Sequence, residues 1–287
     1  MKSKTQVANS AKNVKYQSRK AATSKWMTFL ARLGYAVKGI VYLIIGLLAV
    51  QLAAGMGGKA TDQNGAIQTI SNLPFGRFLL IVVTIGLFGF ALWCFIQALF
   101  DTEGKGRDAK GIIARIGYAF VGVGYGVLGY GTLRVVMGSS TSASKNSTTN
   151  AQDWTATLLK QPFGTALVVI AALVVLGIAG YLFYKAYSAK FQSQLSLASL
   201  SAQARKGVIA LGRLGYAALG VVFTIIAIFM AVAALQHNAS KAVGLDGALR
   251  ELAAQPFGQL LLGIVALGLI AYGAYSFAEA RYRRIGG

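Results

Sequence analysis

Arg32-Leu33-Gly34-Tyr35-Ala36-Val37-Lys38-Gly39-Ile40-Val41-Tyr42 opens a long apolar run, and its skeleton returns twice along the chain. Arg115-Ile116-Gly117-Tyr118 leads to Gly122 and Tyr125. Arg213-Leu214-Gly215-Tyr216 leads to Gly220 and Phe223. A second signature opens the apolar runs in between: Pro74-Phe75-Gly76, Pro162-Phe163-Gly164 and Pro256-Phe257-Gly258. The chain has 3 prolines, and all of them stand in this signature. Trp93, Tyr181 and Tyr275 follow at one fixed distance from the three prolines. A pattern that places every proline in register is an internal repeat, read here as three copies of a two-helix unit.

Working outward, the six apolar runs cover 33–54, 75–100, 112–137, 163–187, 208–235 and 257–280. Each is long enough to cross a hydrocarbon core of about 30 Å at about 1.5 Å per helical residue. Inside lipid, continuous backbone hydrogen bonding requires helix. Composition agrees: of 287 residues, 55% are hydrophobic and 13% charged, too little charge to cover a soluble surface of this size. The expected fold is an all-α membrane protein with six transmembrane helices. Two crossings per unit leave the units parallel, related by a pseudo-threefold axis along the membrane normal. The units are expected at 31–110, 111–205 (with a linker at its end) and 206–287, after a basic tail over 1–30 that reads as disordered. That tail is too long for a signal peptide and no small-residue cleavage site follows it, so the first run is read as retained.

The net charge of +20 raises nucleic acid as a partner, but the placement excludes it. Basic residues cluster between apolar runs on alternating sides, 20 of the 28 on one side and 7 on the other, with Lys38 inside the first run. This is the positive-inside pattern. It places both termini in the cytoplasm of a bacterial plasma membrane, with Arg-Gly-Tyr at the inner face and Pro-Phe-Gly at the outer.

Each shared residue has a physical reading. Arg and Tyr suit the headgroup layer, glycines let helices approach closely in lipid, and proline suits a first helical position. The segments 65–70 and 247–252 read as short amphipathic turns on the outer surface. The loop 138–150 is low-complexity and reads as flexible. The stretch 189–205, with Leu195, Leu197 and Leu200, reads as a short interfacial helix.

Arg-x-Gly-Tyr with its following Gly, paired with Pro-Phe-Gly, resembles the bacterial family called domain of unknown function 1206. The likeness covers all three units. It implies a multi-pass membrane protein and brings no reaction, substrate or cofactor. That family's pattern often carries a basic residue just before the second glycine. Lys38 keeps it, whereas Val121 and Leu219 stand at the matching positions.

Few constellations suggest chemistry. Gly124-Tyr-Gly126-Val-Leu-Gly129 lies within a helix rather than a strand-to-helix turn, so it reads as helix packing. His237 is the one histidine and Cys94 the one cysteine. No disulfide, bis-histidine haem or cysteine metal cluster follows from single residues. Glu279 is read beside Arg281 at the inner end of the last run, and no acid falls at mid-membrane, which argues against ion-coupled transport. No nucleophile–base pair assembles, so the expectation is no enzyme, no cofactor and no metal.

The candidate site is an anionic headgroup site at the inner ends of the odd helices: Arg32, Arg115 and Arg213, with Tyr35, Tyr118 and Tyr216, and Lys38 above Arg32. Positive helix N-termini there would favour an anion. The competing reading of Lys38 is a snorkelling side chain that reaches back to the headgroups. The expected function is a non-catalytic module binding anionic lipid or a membrane protein partner. The alternative is a channel or facilitator along the threefold axis. A pore predicts polar helix faces, and Thr84, Gln97, Thr132 and Thr224 are few.

Overall fold

The computed structural model describes residues 25–101, 106, 108–138 and 145–284. The basic tail expected over 1–30 lies outside the described residues as far as position 24. In chain order the α-helices are α1 Lys25–Ala53, α2 Gln63–Ser71, α3 Gly76–Phe100, α4 Ala109–Val136, α5 Ser147–Leu159, α6 Gly164–Ser188, α7 Ala202–Leu235, α8 Leu245–Ala253 and α9 Gly258–Tyr282. Among the described residues no β-strand forms, and one isolated bridge joins Leu195 and Arg283.

Six helices, α1, α3, α4, α6, α7 and α9, are long and apolar enough to cross a membrane. They pack in the order α4, α3, α1, α9, α7, α6. The best-buried side chains, among them Ile45, Leu80, Leu87, Leu262 and Leu269, lie where α1, α3, α7 and α9 meet. Burial is uneven. In the apolar window of α1, α3 and α9, 56% of residues are buried, against 11% in α4 and 17% in α6.

Proline does not take the first helical position. The three signatures form tight turns in which Gly76 N donates to Leu73 O (2.8 Å), Gly164 N to Gln161 O (2.9 Å) and Gly258 N to Gln255 O (2.7 Å). Proline is the second residue of each turn, where its locked φ fits. Phe75, Phe163 and Phe257 are the third, at φ 60°, 61° and 59°. The glycine is required by contact: a Cβ on Gly76 would lie 2.4 Å from Ser71 O.

Short helices α2, α5 and α8 lead into these turns. The expected turns at 65–70 and 247–252 are thus full helices. Residues 145–150, expected in a flexible loop, are ordered: Asn146 caps α5 by accepting from Thr149 N at 2.8 Å, and 139–144 lie outside the described residues. The first residues of α5 also cap α8, whose N-cap Gly244 has no side chain. Ser147 Oγ accepts from Leu245 N (2.9 Å), and Thr148 Oγ1 accepts from Gly244 N and Gly247 N (both 3.0 Å). Asp246 holds the other side, accepting from Ser147 Oγ (2.8 Å), Thr148 N (3.0 Å) and Thr148 Oγ1 (2.7 Å).

At the opposite, basic end, 189–205 is not an interfacial α-helix before Ala202. It forms a 3₁₀ turn over Lys190–Gln194 and then an extended stretch laid across the end of α9. Ser196 N donates to Tyr282 O (2.7 Å) and Arg284 N to Gln194 O (3.0 Å). Phe191, Leu195 and Leu197 are buried, because their apolar side chains turn into the bundle rather than toward lipid.

Candidate ligand cavity and its buried charges

The same two positions of each unit meet at all three seams between units. Phe277 of α9 lies against Gly39 of α1, Phe95 of α3 against Gly122 of α4, and Phe183 of α6 against Gly220 of α7. Within units the equivalence fails once. A Cβ on Gly34 would lie 2.4 Å from Phe90 Cβ of α3, and one on Gly215 would lie 2.6 Å from Tyr272 Cα of α9. A Cβ on Gly117 of α4 would meet no other helix within 4 Å. Ile178 of α6, the counterpart of Phe90 and Tyr272, is therefore out of contact. The helices of the second unit stand apart, and a cavity of about 820 Å³ runs along the gap, a size that suits a small-molecule ligand (about 300–1,000 Å³).

Its walls are apolar: Val121, Gly124, Val127 and Leu128 from α4, Ile178 and Leu182 from α6, Leu219 and Phe223 from α7. Toward the basic end it reaches Lys38, Tyr42, Tyr125 and Tyr272. Toward the Pro-Phe-Gly end it reaches Asp62, Gln63, Arg134, Lys145 and Ser147. There Asp62 accepts from Gly65 N at 2.9 Å and from Ser147 N, and Gln63 Nε2 donates to Tyr42 OH at 3.4 Å. A smaller cavity of about 280 Å³ adjoins it between α2, α4 and α8.

Lys38 is the centre of the basic end. Its Nζ donates to Glu279 Oε2 at 2.7 Å, and Arg283 NH1 donates to Glu279 Oε1 at 2.6 Å. The three side chains are 7%, 7% and 2% exposed, Glu279 the least. Aromatic rings enclose the group: Lys38 Nζ sits 4.9 Å from the Tyr35 ring centroid and 5.1 Å from that of Tyr272, and the Arg283 guanidinium 5.0 Å from that of Tyr35. Cations over ring faces gain electrostatic stabilisation where water is excluded. Tyr272 in turn meets Tyr42 (4.8 Å) and Tyr216 (5.4 Å) edge-on, and Phe90 meets Tyr125 (4.7 Å). Two cations thus share one carboxylate at the buried end of the cavity. Lys38 does not snorkel; its ammonium turns inward because Glu279 is there to receive it. Glu279 pairs with Arg283 rather than Arg281.

A sequence model of the family described as Domain of Unknown Function (DUF1206) matches the chain three times, over residues 33–101, 116–189 and 214–283. The chain belongs to that family. It is also similar to a protein of Bacillus subtilis (strain 168) described as "Uncharacterized protein YxxB", 36% identical over 272 residues, which cover 94% of this chain and 97% of that one. No solved structure matches. Each segment matched by DUF1206 takes in two of the six long helices and the short helix before the Pro-Phe-Gly turn.

Of the seven residues singled out in this DUF1206 chain, Lys38 lines the cavity. Tyr35 and Tyr216 belong to the aromatic enclosure around it. Arg115 is bound elsewhere: its Nε donates to Ala98 O at 2.6 Å and its NH2 to Leu99 O at 3.0 Å. Arg213 NH2 donates to Tyr187 O at 3.3 Å. Both arginines cap the last carbonyls of the preceding long helix, which face the positive charge with the negative end of a helix dipole. Arg32 is exposed, and Tyr118 is half-buried.

The residues missed by sequence reasoning are Glu279, Arg283 and Tyr272. A signal existed for one of them. Gln97, Lys185 and Glu279 occupy one position in the three units, as Lys38, Val121 and Leu219 occupy another. The seam that carries Lys38 is also the seam that carries the acid.

Proposed function

We propose that this protein is a non-catalytic module of the bacterial plasma membrane that holds the anionic group of a membrane amphiphile at the Lys38 end of its cavity. The observation that supports this reading is the place of Lys38: a buried cation, held by Glu279, lines the end of a cavity whose middle is apolar. An anion brought to that end meets the ammonium where burial strengthens the attraction. In this reading both termini are cytoplasmic, and the three units stand parallel about a pseudo-threefold axis whose second unit is sprung open. The channel reading has less behind it. The hydroxyls of Thr84, Thr132 and Thr224 donate to carbonyls four residues back in their own helices, at 2.7 to 2.8 Å, so they do not present a polar path.

Mass spectrometry of lipid that co-purifies with the protein tests the proposal. Wild type should carry anionic amphiphile, Lys38→Met should lose it, and the triple variant Arg32→Gln, Arg115→Gln, Arg213→Gln should keep it. Equal anionic content in wild type and Lys38→Met refutes the reading.

A further inference from the structure

What chain accompanies that anionic group follows from a comparison of the three units. In the first unit Gly86 faces Val37, and in the third Gly268 faces Ala218. These small pairs bring α1 onto α3 and α7 onto α9. The second unit has Phe120 and Val174 at the same two positions. Two bulky side chains cannot occupy the space that a glycine leaves, so α4 and α6 cannot close in the same way. Both are exposed, 74% and 58%. Tyr181 is 60% exposed, whereas its counterparts Trp93 and Tyr275 are 1% and 0% exposed. The gap is thus written into the second unit's side chains.

We propose that the α4–α6 gap is the seat of one hydrocarbon chain that enters sideways from the bilayer, so the ligand is a long-chain anion such as a fatty carboxylate rather than a water-soluble anion. This rests on the reading of Lys38 as the anion's partner. The seat runs along α4 from Val121 to Arg134, 13 residues or about 20 Å at the helical rise, more than half of a core of about 30 Å. Its middle is apolar, with Lys38 at one end and Asp62, Arg134 and Lys145 at the other; of these cations Lys38 is the buried one, which complements an amphiphile whose negative head lies at that end. The same apolar middle makes it a place for a tail and not a path for a headgroup, because a charge moved along it would lose its hydration.

The test uses the full chain in nanodiscs of zwitterionic phosphatidylcholine and three probes: a diazirine-bearing palmitate, the corresponding uncharged alcohol, and inorganic phosphate. Palmitate should photolabel peptides spanning 121–135 and 178–182. Gly124→Trp, at a position where nothing lies within 4 Å of an added Cβ, should fold normally, fill the seat and cut the labelling about tenfold, equivalent to about 1.4 kcal/mol of binding. Lys38→Met should lower palmitate labelling and leave that of the alcohol unchanged. Equal labelling by alcohol and palmitate, indifferent to Lys38, keeps the chain seat and refutes the anion reading. Phosphate that binds in a Lys38-dependent way while palmitate leaves the gap unlabelled refutes the chain seat and keeps the anion reading. No labelling and no phosphate binding refutes both.

Discussion

Glu279→Gln should be the most damaging single-atom change in this protein. It removes the charge that Lys38 meets at 2.7 Å and Arg283 at 2.6 Å, in a place from which water is excluded. Glutamine keeps the shape and an acceptor oxygen, so the loss is electrostatic: two buried cations lose the carboxylate they share. Removing one partner of a buried pair costs about 3–5 kcal/mol. Because one carboxylate serves two cations here, the upper part of that range applies. Lys38→Met is milder. It leaves Glu279 with Arg283 as a neutral pair and removes one charged hydrogen bond, worth about 1.5–3 kcal/mol. The double variant Glu279→Gln, Lys38→Met leaves one cation deprived of that carboxylate in place of two and should recover part of the single variant's loss. Thermal unfolding of the purified protein in detergent, followed by tryptophan fluorescence, ranks the three. At roughly 2–4 °C per kcal/mol for a chain of this size, Glu279→Gln should melt about 10 °C or more below wild type. If it melts no lower than Lys38→Met, or if the double variant shows no recovery, the buried-charge account is wrong.

Gly34→Ala should destabilise by about 1–3 kcal/mol, since the added methyl meets Phe90 and overpacks the contact, while Gly117→Ala should be neutral or slightly stabilising because its surroundings are open; the same melting assay compares them. Phe163→Gly should raise stability by about 0.5–1 kcal/mol, since the side chain is exposed and its left-handed backbone is strained for any residue with a Cβ. A lower melting point for Phe163→Gly would mean that the ring packs on something. Asp246→Ala should loosen α5 by removing the acceptor for Ser147 and Thr148, and hydrogen exchange at the amides of Ser147–Leu159 should then quicken relative to α9.

Much of the fold was legible along the chain because a bilayer admits few solutions. Six apolar runs must be helices, and three matching signatures must be one unit repeated. The Pro-Phe-Gly signature was seen but its geometry was not. Proline at the start of a helix and proline in a turn two residues earlier look alike in one dimension, and the left-handed phenylalanine between them has no signature of its own. The candidate site was legible in part. Lys38 stood out as a charge within an apolar run. Its partner did not, because Glu279 is 241 residues away and lies near the end of its helix, where an acid ordinarily belongs to the surface. The arginines misled for the opposite reason: conspicuous in every unit, Arg115 and Arg213 cap carbonyls.

Hydrophobic length, charge placement and the repeat therefore follow from residue order, since each is a statement about one segment and its solvent. Which seams close is a statement about pairs of surfaces. Gly34 meets Phe90 and Gly215 meets Tyr272, but Gly117 meets no neighbouring helix, in a unit that carries Phe120 and Val174 where the others set Val37 on Gly86 and Ala218 on Gly268. That one unclosed contact opens the cavity, and the pairing of Lys38 with Glu279 and Arg283 sets the charge at its end. Both depend on side-chain volumes and ion partners brought together only when the six helices pack.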